Sequence, residues 1–350
     1  MRFEISGIAF TISDQEPFVD EAFNRASLEF FDRANDDTSL HDRYFSILAG
    51  FINRHIQAGL WYKAETMWRS VIQPALDWEA QHPNRFIHKG TPFYFWGMAA
   101  IIRGELDMGY PLMHQALQED IRTHQNARPD TPAYAFATLD YTKVDQAFRD
   151  WTEYQARFLE PLLENYRSSH TMVLNLDDFR RRFLLSPPSL DVIFLFTYAL
   201  GKFSLFDRVP PYARQNDFTS QLELNLLFDI LLVIDASIGA RNPGVNSFPL
   251  HAAHLSNEAG LGLTQNKLQN ELNPVFQADF NLTLANILNG AFQFGDGTGL
   301  TGLAGDLAVA YGLRNYGAHH ISSVPTVQLR FNEIRQSLFN VLFLTIEMLY

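Results

Sequence analysis

Apolar residues recur at helical spacing along almost the whole chain, and this periodicity restricts the chain to a mainly helical fold. Stripes of this kind indicate amphipathic helices, whose apolar faces must pack against one another. In the first two thirds of the chain they cover roughly residues 16–34, 40–58, 61–80, 92–104, 109–125, 140–168 and 189–206. Residues 2–12 instead alternate as a strand or hairpin does. The sequence therefore predicts an all-α protein with a possible short N-terminal β-strand.

Two proline-rich breaks divide the helical pattern into an N-terminal and a C-terminal part. The segments at 180–190 and 207–217 carry the densest prolines of the chain, and clustered prolines are typical of linkers. We therefore predict one helical domain at residues 1–190 and a second at 207–350. The first helix of the second domain has Ser220 and Glu223 in capping-box spacing. The helical pattern of this domain predicts a bundle of four or five helices.

Composition and charge exclude several kinds of site and partner. The chain has no cysteine, which excludes disulfides, thiolate chemistry and sulfur-bound zinc. Its net charge of −12 argues against broad nonspecific binding to nucleic acid, so contact with a polyanion must depend on a few placed cations. The longest apolar stretches span about ten residues, too few to cross a bilayer, and the N-terminus lacks the apolar core of a signal peptide. These features predict a cytoplasmic protein without membrane contact.

Two N-terminal segments repeat the same spacing of small and large residues. The offsets recur 45 residues apart, in Gly59, Ala64 and Trp68 and again in Gly104, Gly109 and Met113. Small residues at such points let two antiparallel helices approach closely. The pattern resembles the tetratricopeptide helix-turn-helix repeat, which implies an interaction or regulatory module with a protein partner. An irregular bundle with glycines at its turns explains the spacing equally well, and both interpretations stay open.

Polar residues are concentrated near the C-terminus, in the sequence RNYGAHH at residues 314–320. Leu303, Leu307, Ala310 and Arg314 fall on one stripe of the preceding helix. We therefore expect Arg314 to point along the packed face, toward a cleft or a partner, rather than freely into solvent.

An arginine, a histidine and an orienting amide suit the cleavage of RNA without a metal ion. Histidine moves protons near neutral pH, and arginine donates hydrogen bonds to a phosphate as negative charge builds on it. A turn after Arg314 can bring His319 or His320 toward the guanidinium, with Asn315 placed to fix the imidazole tautomer. One histidine cannot easily act as both base and acid, so two copies across a two-fold axis would supply both. This chemistry requires no cofactor and no metal.

The sequence RNYGAHH resembles the R-x(4–6)-H signature of HEPN domains, in which a polar residue, often Asn, follows the arginine. The motif also joins the last two long helices of a helical bundle, as in that family, and the resemblance covers residues 207–350. It implies a metal-independent endoribonuclease that forms a homodimer through this bundle and acts in toxin–antitoxin, phage-defence or CRISPR-linked systems. Arg314 would bind the phosphate, Asn315 would orient, and either His319 or His320 would be catalytic.

Other interpretations of the same residues stay open. Some HEPN domains are inactive, so the bundle can serve instead as a non-catalytic scaffold for dimerisation and for protein or nucleotide binding. A third interpretation is a helical-repeat adaptor in which the histidine turn is incidental. His251, His254 and Glu258 can share one helical face as metal ligands do, although no fourth ligand is identified. The GxGxxG match at 297–302 follows a helix rather than a strand and predicts a connector instead of a dinucleotide site.

Overall fold

Helices account for nearly all of the secondary structure, which confirms the predicted all-α class. The structure is a computed structural model that describes residues 1–125, 130–186, 190–214, 217–316 and 325–350. Across these ranges, no helix combines the length and the apolar character that a bilayer span requires. The chain divides into two compact units, Met1–Glu153 and Tyr154–Tyr350.

The first unit begins with a β-hairpin, as the alternation at residues 2–12 predicted. Strands β1 (Arg2–Ile5) and β2 (Ile8–Thr11) pair antiparallel. Ser6 and Gly7 form the connecting turn with φ of 53° and 75°, and positive φ at both positions is what a two-residue hairpin turn requires. The alternation of residues 2–12 predicts a bulge at Gly7, and this prediction is wrong because Gly7 lies in the turn.

Helices form the rest of the first unit. They are α1 (Glu21–Ala34), α2 (Thr38–Gln57), α3 (Trp61–Gln81), α4 (Gly90–Ile102), α5 (Leu106–His124), α6 (Pro132–Ala137) and the start of α7 (Gln146–His170). Aromatic side chains fill the core of this unit. Tyr44 is fully buried, and its ring centroid lies 5.0 to 5.5 Å from those of four phenylalanines, Phe10, Phe30, Phe31 and Phe45.

The two segments with matching spacing form two helical hairpins, α2–α3 and α4–α5. Gly59 and Gly104 end the first helix of each hairpin in the left-handed region, with φ of 73° and 86°. Their N–H groups donate to the carbonyls of Ile56 and Ile101, both at 2.9 Å. Glycine recurs here because it adopts positive φ without a steric penalty. The assignment of these hairpins to tetratricopeptide repeats stays a prediction.

The second unit is built around its C-terminal helices. After the rest of α7 come α8 (Leu176–Phe179), α9 (Leu190–Phe206), α10 (Asp217–Arg241), α11 (Phe248–Glu258), α12 (Asn273–Ala278), α13 (Phe280–Leu288), α14 (Gly302–Tyr316), α15 (Pro325–Leu329) and α16 (Phe331–Leu349). Arg180–Leu184 and Lys267–Leu272 form wider π-helical turns, and Pro211–Ala213 form a 3₁₀ turn. Helix α16 packs against both α10 and α14, and α9 packs against α10.

The division between the units lies within α7, earlier in the chain than the predicted boundary between 190 and 207. Aromatic contacts explain the difference. The Phe158 ring centroid lies 5.8 Å from that of Phe203 in α9 and 5.9 Å from that of Phe339 in α16. These rings join the second half of α7 and all of α9 to the C-terminal helices, although prolines interrupt the chain between them. That the functional bundle itself begins at 207 stays a prediction.

Two helix boundaries differ from the sequence pattern. Helix α10 begins at Asp217, so Ser220 lies inside the helix instead of capping it. Glu223 is then only 5% exposed, and its Oε2 has no partner among the described residues. Burial raises the pKa of Glu223 to about 7 despite the nearby Arg214. The sequence pattern predicts one final helix from Ser323 or Thr326 to Tyr350, but this helix is interrupted at Arg330, whose φ of −124° and ψ of 25° separate α15 from α16.

Candidate functional site

Arg314 lies near the C-terminal end of α14 and contacts α10. Its Nη2 lies 3.4 Å from Oδ2 of Asp235. Gly312 lies two residues earlier on α14. It lets the helix approach α12, since a Cβ there would lie 2.2 Å from Cζ of Phe276. The side chain of Arg314 is 34% exposed. It is thus directed to a neighbouring helix and keeps an open side toward solvent.

Asp235 connects Arg314 to a buried histidine. Its second carboxylate oxygen, Oδ1, lies 2.6 Å from Nδ1 of His251 on α11. The other ring nitrogen of His251, Nε2, lies 2.9 Å from the carbonyl oxygen of Val245. One carboxylate of α10 therefore holds a side chain from α11 and a side chain from α14. We call Asp235, His251 and Arg314 the Asp235 cluster.

Both ring nitrogens of His251 face acceptors, since a carboxylate and a carbonyl oxygen only accept hydrogen bonds. Asp235 and the carbonyl of Val245 therefore hold the ring from both sides and fix its orientation.

The guanidinium of Arg314 retains donors for a ligand. It carries five N–H groups, and Asp235 takes only one, at a long distance of 3.4 Å. Its Nε atom is buried and has no hydrogen-bond partner within the described part of the chain. A phosphate oxygen suits these donors, because guanidinium groups bind phosphate through paired, charge-assisted hydrogen bonds.

The structure describes two of the four predicted site residues. Arg314 and Asn315 lie side by side at the end of α14, and Asn315 is half-buried. His319 and His320 lie outside the described residues. The proximity of a histidine to Arg314 through the turn at 317–320 thus stays a prediction.

Sequence reasoning missed Asp235 and the pairing role of His251. Asp235 lies 79 residues before Arg314, and no local periodicity relates the two. One signal was present, since Asp235 is an isolated carboxylate in the apolar run LLVIDASIG of α10. An acidic residue in such a run needs a buried partner, and Arg314 and His251 supply two.

The other sequence candidates have different surroundings. His251 is engaged by Asp235 and Val245, and no group of three or more His, Asp or Glu side chains in the described ranges is arranged to hold a metal ion. The GxGxxG segment at 297–302 connects α13 to α14. Gly299 in this segment forms a β-bridge with Gln293, which lies earlier in the same connection, and the segment is a connector, as its position after a helix predicted.

Comparison of the chain with protein-family models, with curated proteins and with solved structures gives no match.

Proposed function

We propose that this protein is a metal-independent endoribonuclease of HEPN type, with its site at the end of α14. The observation that carries the proposal is a partly exposed guanidinium, Arg314, fixed by Asp235 and followed directly by Asn315 and the histidine pair of RNYGAHH. In this proposal Arg314 binds the scissile phosphate and Asn315 orients an imidazole. A cytoplasmic location and a role in toxin–antitoxin or phage-defence systems belong to the same proposal.

Asp235 is a positioning residue in this scheme. Its ion pair holds Arg314 through Nη2 and uses one of the five N–H groups of the guanidinium. A donor that is fixed before the reaction needs no reorganisation when negative charge develops on the phosphate. The same carboxylate keeps His251 in place, and both ring nitrogens of that histidine are occupied. His251 is therefore a support of the site and not the proton carrier.

The proton transfers are assigned to the histidines of the motif. One imidazole removes the proton of the ribose 2′-hydroxyl, and the 2′-oxygen forms a bond to phosphorus. The bond from phosphorus to the 5′-oxygen breaks, and a second imidazole donates the proton that this oxygen takes up. The products are a 2′,3′-cyclic phosphate and a free 5′-hydroxyl. Either His319 or His320 is the catalytic residue, and a second copy of the chain supplies the second imidazole.

The surface beside the cluster supports a homodimer. Leu232 is 44% exposed and lies three residues before Asp235 on α10, so the two share one side of the helix. Phe228, four residues before Leu232, is half-buried on the same side. Apolar surface next to a charged site is typical of an interface, and a site made from two copies requires such a surface nearby.

Cleavage of single-stranded RNA in EDTA tests the proposal. We expect wild-type protein to cut RNA and to leave 2′,3′-cyclic phosphate ends, and a substrate with a 2′-deoxyribose at the cut position to stay intact. Replacing Arg314 by Ala should lower kcat by about 100-fold or more, the usual effect of removing a transition-state donor. Separate His319→Ala and His320→Ala variants should show which histidine is required.

The matched control is Arg181→Ala, which removes an arginine that is 65% exposed and paired with Asp178. This variant should cut RNA at the wild-type rate. Thermal unfolding of every variant should show that loss of activity is not loss of folding. Equal cutting by wild-type and Arg314→Ala proteins would disprove the catalytic assignment.

A non-catalytic scaffold is the second candidate. The observation in its favour is the Arg314–Asp235 ion pair, which gives the arginine a structural role without any ligand. A scaffold should dimerise equally well with and without Arg314 and should cut no RNA. The ribonuclease assay and a measurement of mass in solution on the same variants separate the two functions.

A further inference from the structure

A second polar region lies at the opposite end of α14, in a groove bordered by α7, α13, α14 and α16. Its volume is about 990 Å³, in the range of pockets that enclose small organic molecules. Gly302 lines this groove, and Arg314 follows twelve residues later on the same helix, about 18 Å along the axis at 1.5 Å per residue. The groove is therefore separate from the Asp235 cluster, and the inference drawn from it does not depend on the proposed function.

An imidazole lines one end of the groove. Nε2 of His170 lies 3.3 Å from Oδ2 of Asp306 and 3.1 Å from Nδ2 of Asn340. Asn340 also donates to Asp306 at 2.8 Å and accepts from Gln336 at 2.7 Å. These contacts fix the ring through Nε2. The other ring nitrogen, Nδ1, has no hydrogen-bond partner among the described residues. It faces Gly302 and lies 3.7 Å from the position that a Cβ on Gly302 would take.

A guanidinium lines the other end of the groove. Arg335 is 18% exposed and lies over the rings of Phe158 and Phe331, at 5.4 and 5.8 Å from their centroids. Its Nε is buried without a hydrogen-bond partner in the described ranges. Burial lowers the pKa of Arg335, and the opposing effect of Asp207 does not cancel that shift. This cation is poorly solvated and incompletely neutralised.

The charge around Arg335 favours an anion. Asp207 is its nearest carboxylate, at 3.8 Å, and the same oxygen lies 4.0 Å from Nη1 of Arg214. Two guanidinium groups therefore share one carboxylate at long distances. Glu333 also lines the groove, but Arg330 pairs with it through two hydrogen bonds of 3.1 Å. Within the described part of the chain, Arg335 therefore has no ion pair shorter than 3.8 Å, although Glu223 lies near Arg214 and Asp306 is a further carboxylate of the groove.

The distance between the two ends of the groove limits the size of a ligand that contacts both. Arg335 and Asn340 are five residues apart on α16, about 7.5 Å along the helix axis. We propose that the groove binds a phosphate monoester of a sugar, with the phosphate at Arg335 and ring hydroxyls at His170 and Asn340. A hydroxyl both donates and accepts, so it matches Nδ1 of His170 in either tautomer. A free sugar phosphate and a nucleoside monophosphate both contain this unit.

Calorimetric titration of the full chain tests the proposal with defined probes. Ribose 5-phosphate represents the sugar phosphates, AMP and UMP represent the nucleotides, and ribose and adenosine are their phosphate-free counterparts. We expect saturable binding of at least one phosphorylated probe, and affinity at least tenfold lower for its phosphate-free counterpart. Tighter binding of AMP or UMP than of ribose 5-phosphate would identify the nucleotide as the source, and the reverse order would identify the sugar phosphate.

Two variants separate the ends of the groove. Arg335→Gln should weaken binding of the phosphorylated probe at least tenfold, whereas Arg335→Lys, which keeps the charge, should retain most of it. His170→Gln should weaken ribose 5-phosphate but leave the weaker binding of inorganic phosphate unchanged. Arg181→Gln removes an exposed arginine elsewhere in the second unit and should have no effect.

Two results would overturn the inference. One is equal affinity of the wild-type protein for ribose 5-phosphate and ribose, or no saturation by any phosphorylated probe at millimolar concentration. The other is unchanged binding in a folded Arg335→Gln variant. The comparison of probes uses only wild-type protein, so it decides the question even where a variant fails to fold.

Discussion

At the scale of single residues, the first unit contains an ionic network around the buried His88, beside the start of α4. Nδ1 of His88 lies 2.7 Å from Asp42 and Nε2 lies 3.2 Å from Asp120. The residue after next, Gly90, admits no side chain, since a Cβ there would lie 2.6 Å from Oδ1 of Asp120 and 2.9 Å from Nε2 of His88. The carboxylate of Asp120 and the imidazole of His88 thus meet in a space that only glycine leaves open, whereas Asp42, whose side chain is 53% exposed, contacts the ring through Nδ1.

The protonation of His88 should make the stability of the protein depend on pH. Burial alone would lower the pKa of His88, but the hydrogen bonds to Asp120 and Asp42 outweigh it and raise the pKa to about 9. A folded-state pKa above the unfolded value of about 6.5 gives stability that is complete below pH 6.5 and is lost as pH rises toward 9. The free energy of unfolding should fall by about 2 to 3 kcal/mol over this window.

Urea unfolding of wild-type and His88→Gln proteins between pH 6 and pH 10 measures this dependence. The variant should be less stable than the wild type at pH 6 and should lose less stability as pH rises. His254→Gln, which removes a half-buried histidine outside this network, should follow the wild-type curve. Parallel curves for His88→Gln and wild type would show that His88 does not carry the effect.

At the scale of helices, two glycines set the distance between α4 and α5. A Cβ on Gly109 would lie 2.4 Å from Cγ1 of Ile101 and 2.9 Å from the carbonyl oxygen of Gly97. A Cβ on Gly97 would lie 2.9 Å from the carbonyl oxygen of Gly109 and 3.1 Å from the backbone nitrogen of Met113. The two backbones therefore touch, and a methyl group fits at neither position without separating the helices.

Gly109→Ala should destabilise the first unit by about 1 to 3 kcal/mol, the usual effect of inserting a methyl group into a packed contact. The matched control is Gly50→Ala on the exposed side of α2, where nothing lies within 4 Å of the new Cβ. That substitution should stabilise the protein by about 0.5 to 1 kcal/mol, because alanine favours helix more than glycine does. Chemical unfolding of both variants measures these two changes in the free energy of unfolding. Equal effects of the two substitutions would contradict the close contact of α4 with α5.

At the scale of the whole molecule, the proposed ribonuclease requires two chains. The exposed side of α10 places Leu232 beside Asp235, and Asp235 holds Arg314. A dimer that covers Leu232 would bring two Asp235 clusters, and the sequence that follows each Arg314, toward a common axis. Oligomeric state and activity should therefore change together.

A charged side chain in place of Leu232 should separate the copies. We expect Leu232→Glu to be monomeric by light scattering after size-exclusion chromatography and to lose RNA cleavage while its thermal unfolding stays close to that of the wild type. Leu282→Glu changes a leucine that is 58% exposed on α13 and should remain a dimer. A wild-type protein that is monomeric at every concentration, or a cleaving Leu232→Glu monomer, would contradict the composite site.

The sequence by itself determined the helices, because helical periodicity and turn chemistry are local. The expected segments 40–58, 61–80 and 189–206 agree with α2, α3 and α9 to within a few residues. Gly59 and Gly104 end their helices with positive φ, a local property of glycine that depends on no tertiary contact. The position of Arg314 near the end of its helix was also readable, since it depends only on the apolar stripe before it.

Only the tertiary structure decided which side chains meet. Arg314 and Asp235 are 79 residues apart, and His170 and Asn340 are 170 residues apart. The spacing of apolar residues indicates that a helix has a packed face, but it does not indicate which other helix covers that face. Many pairings of helices bury a similar apolar area. The contacts that join these charges depend on the packing of all helices at once, so a local pattern cannot contain them.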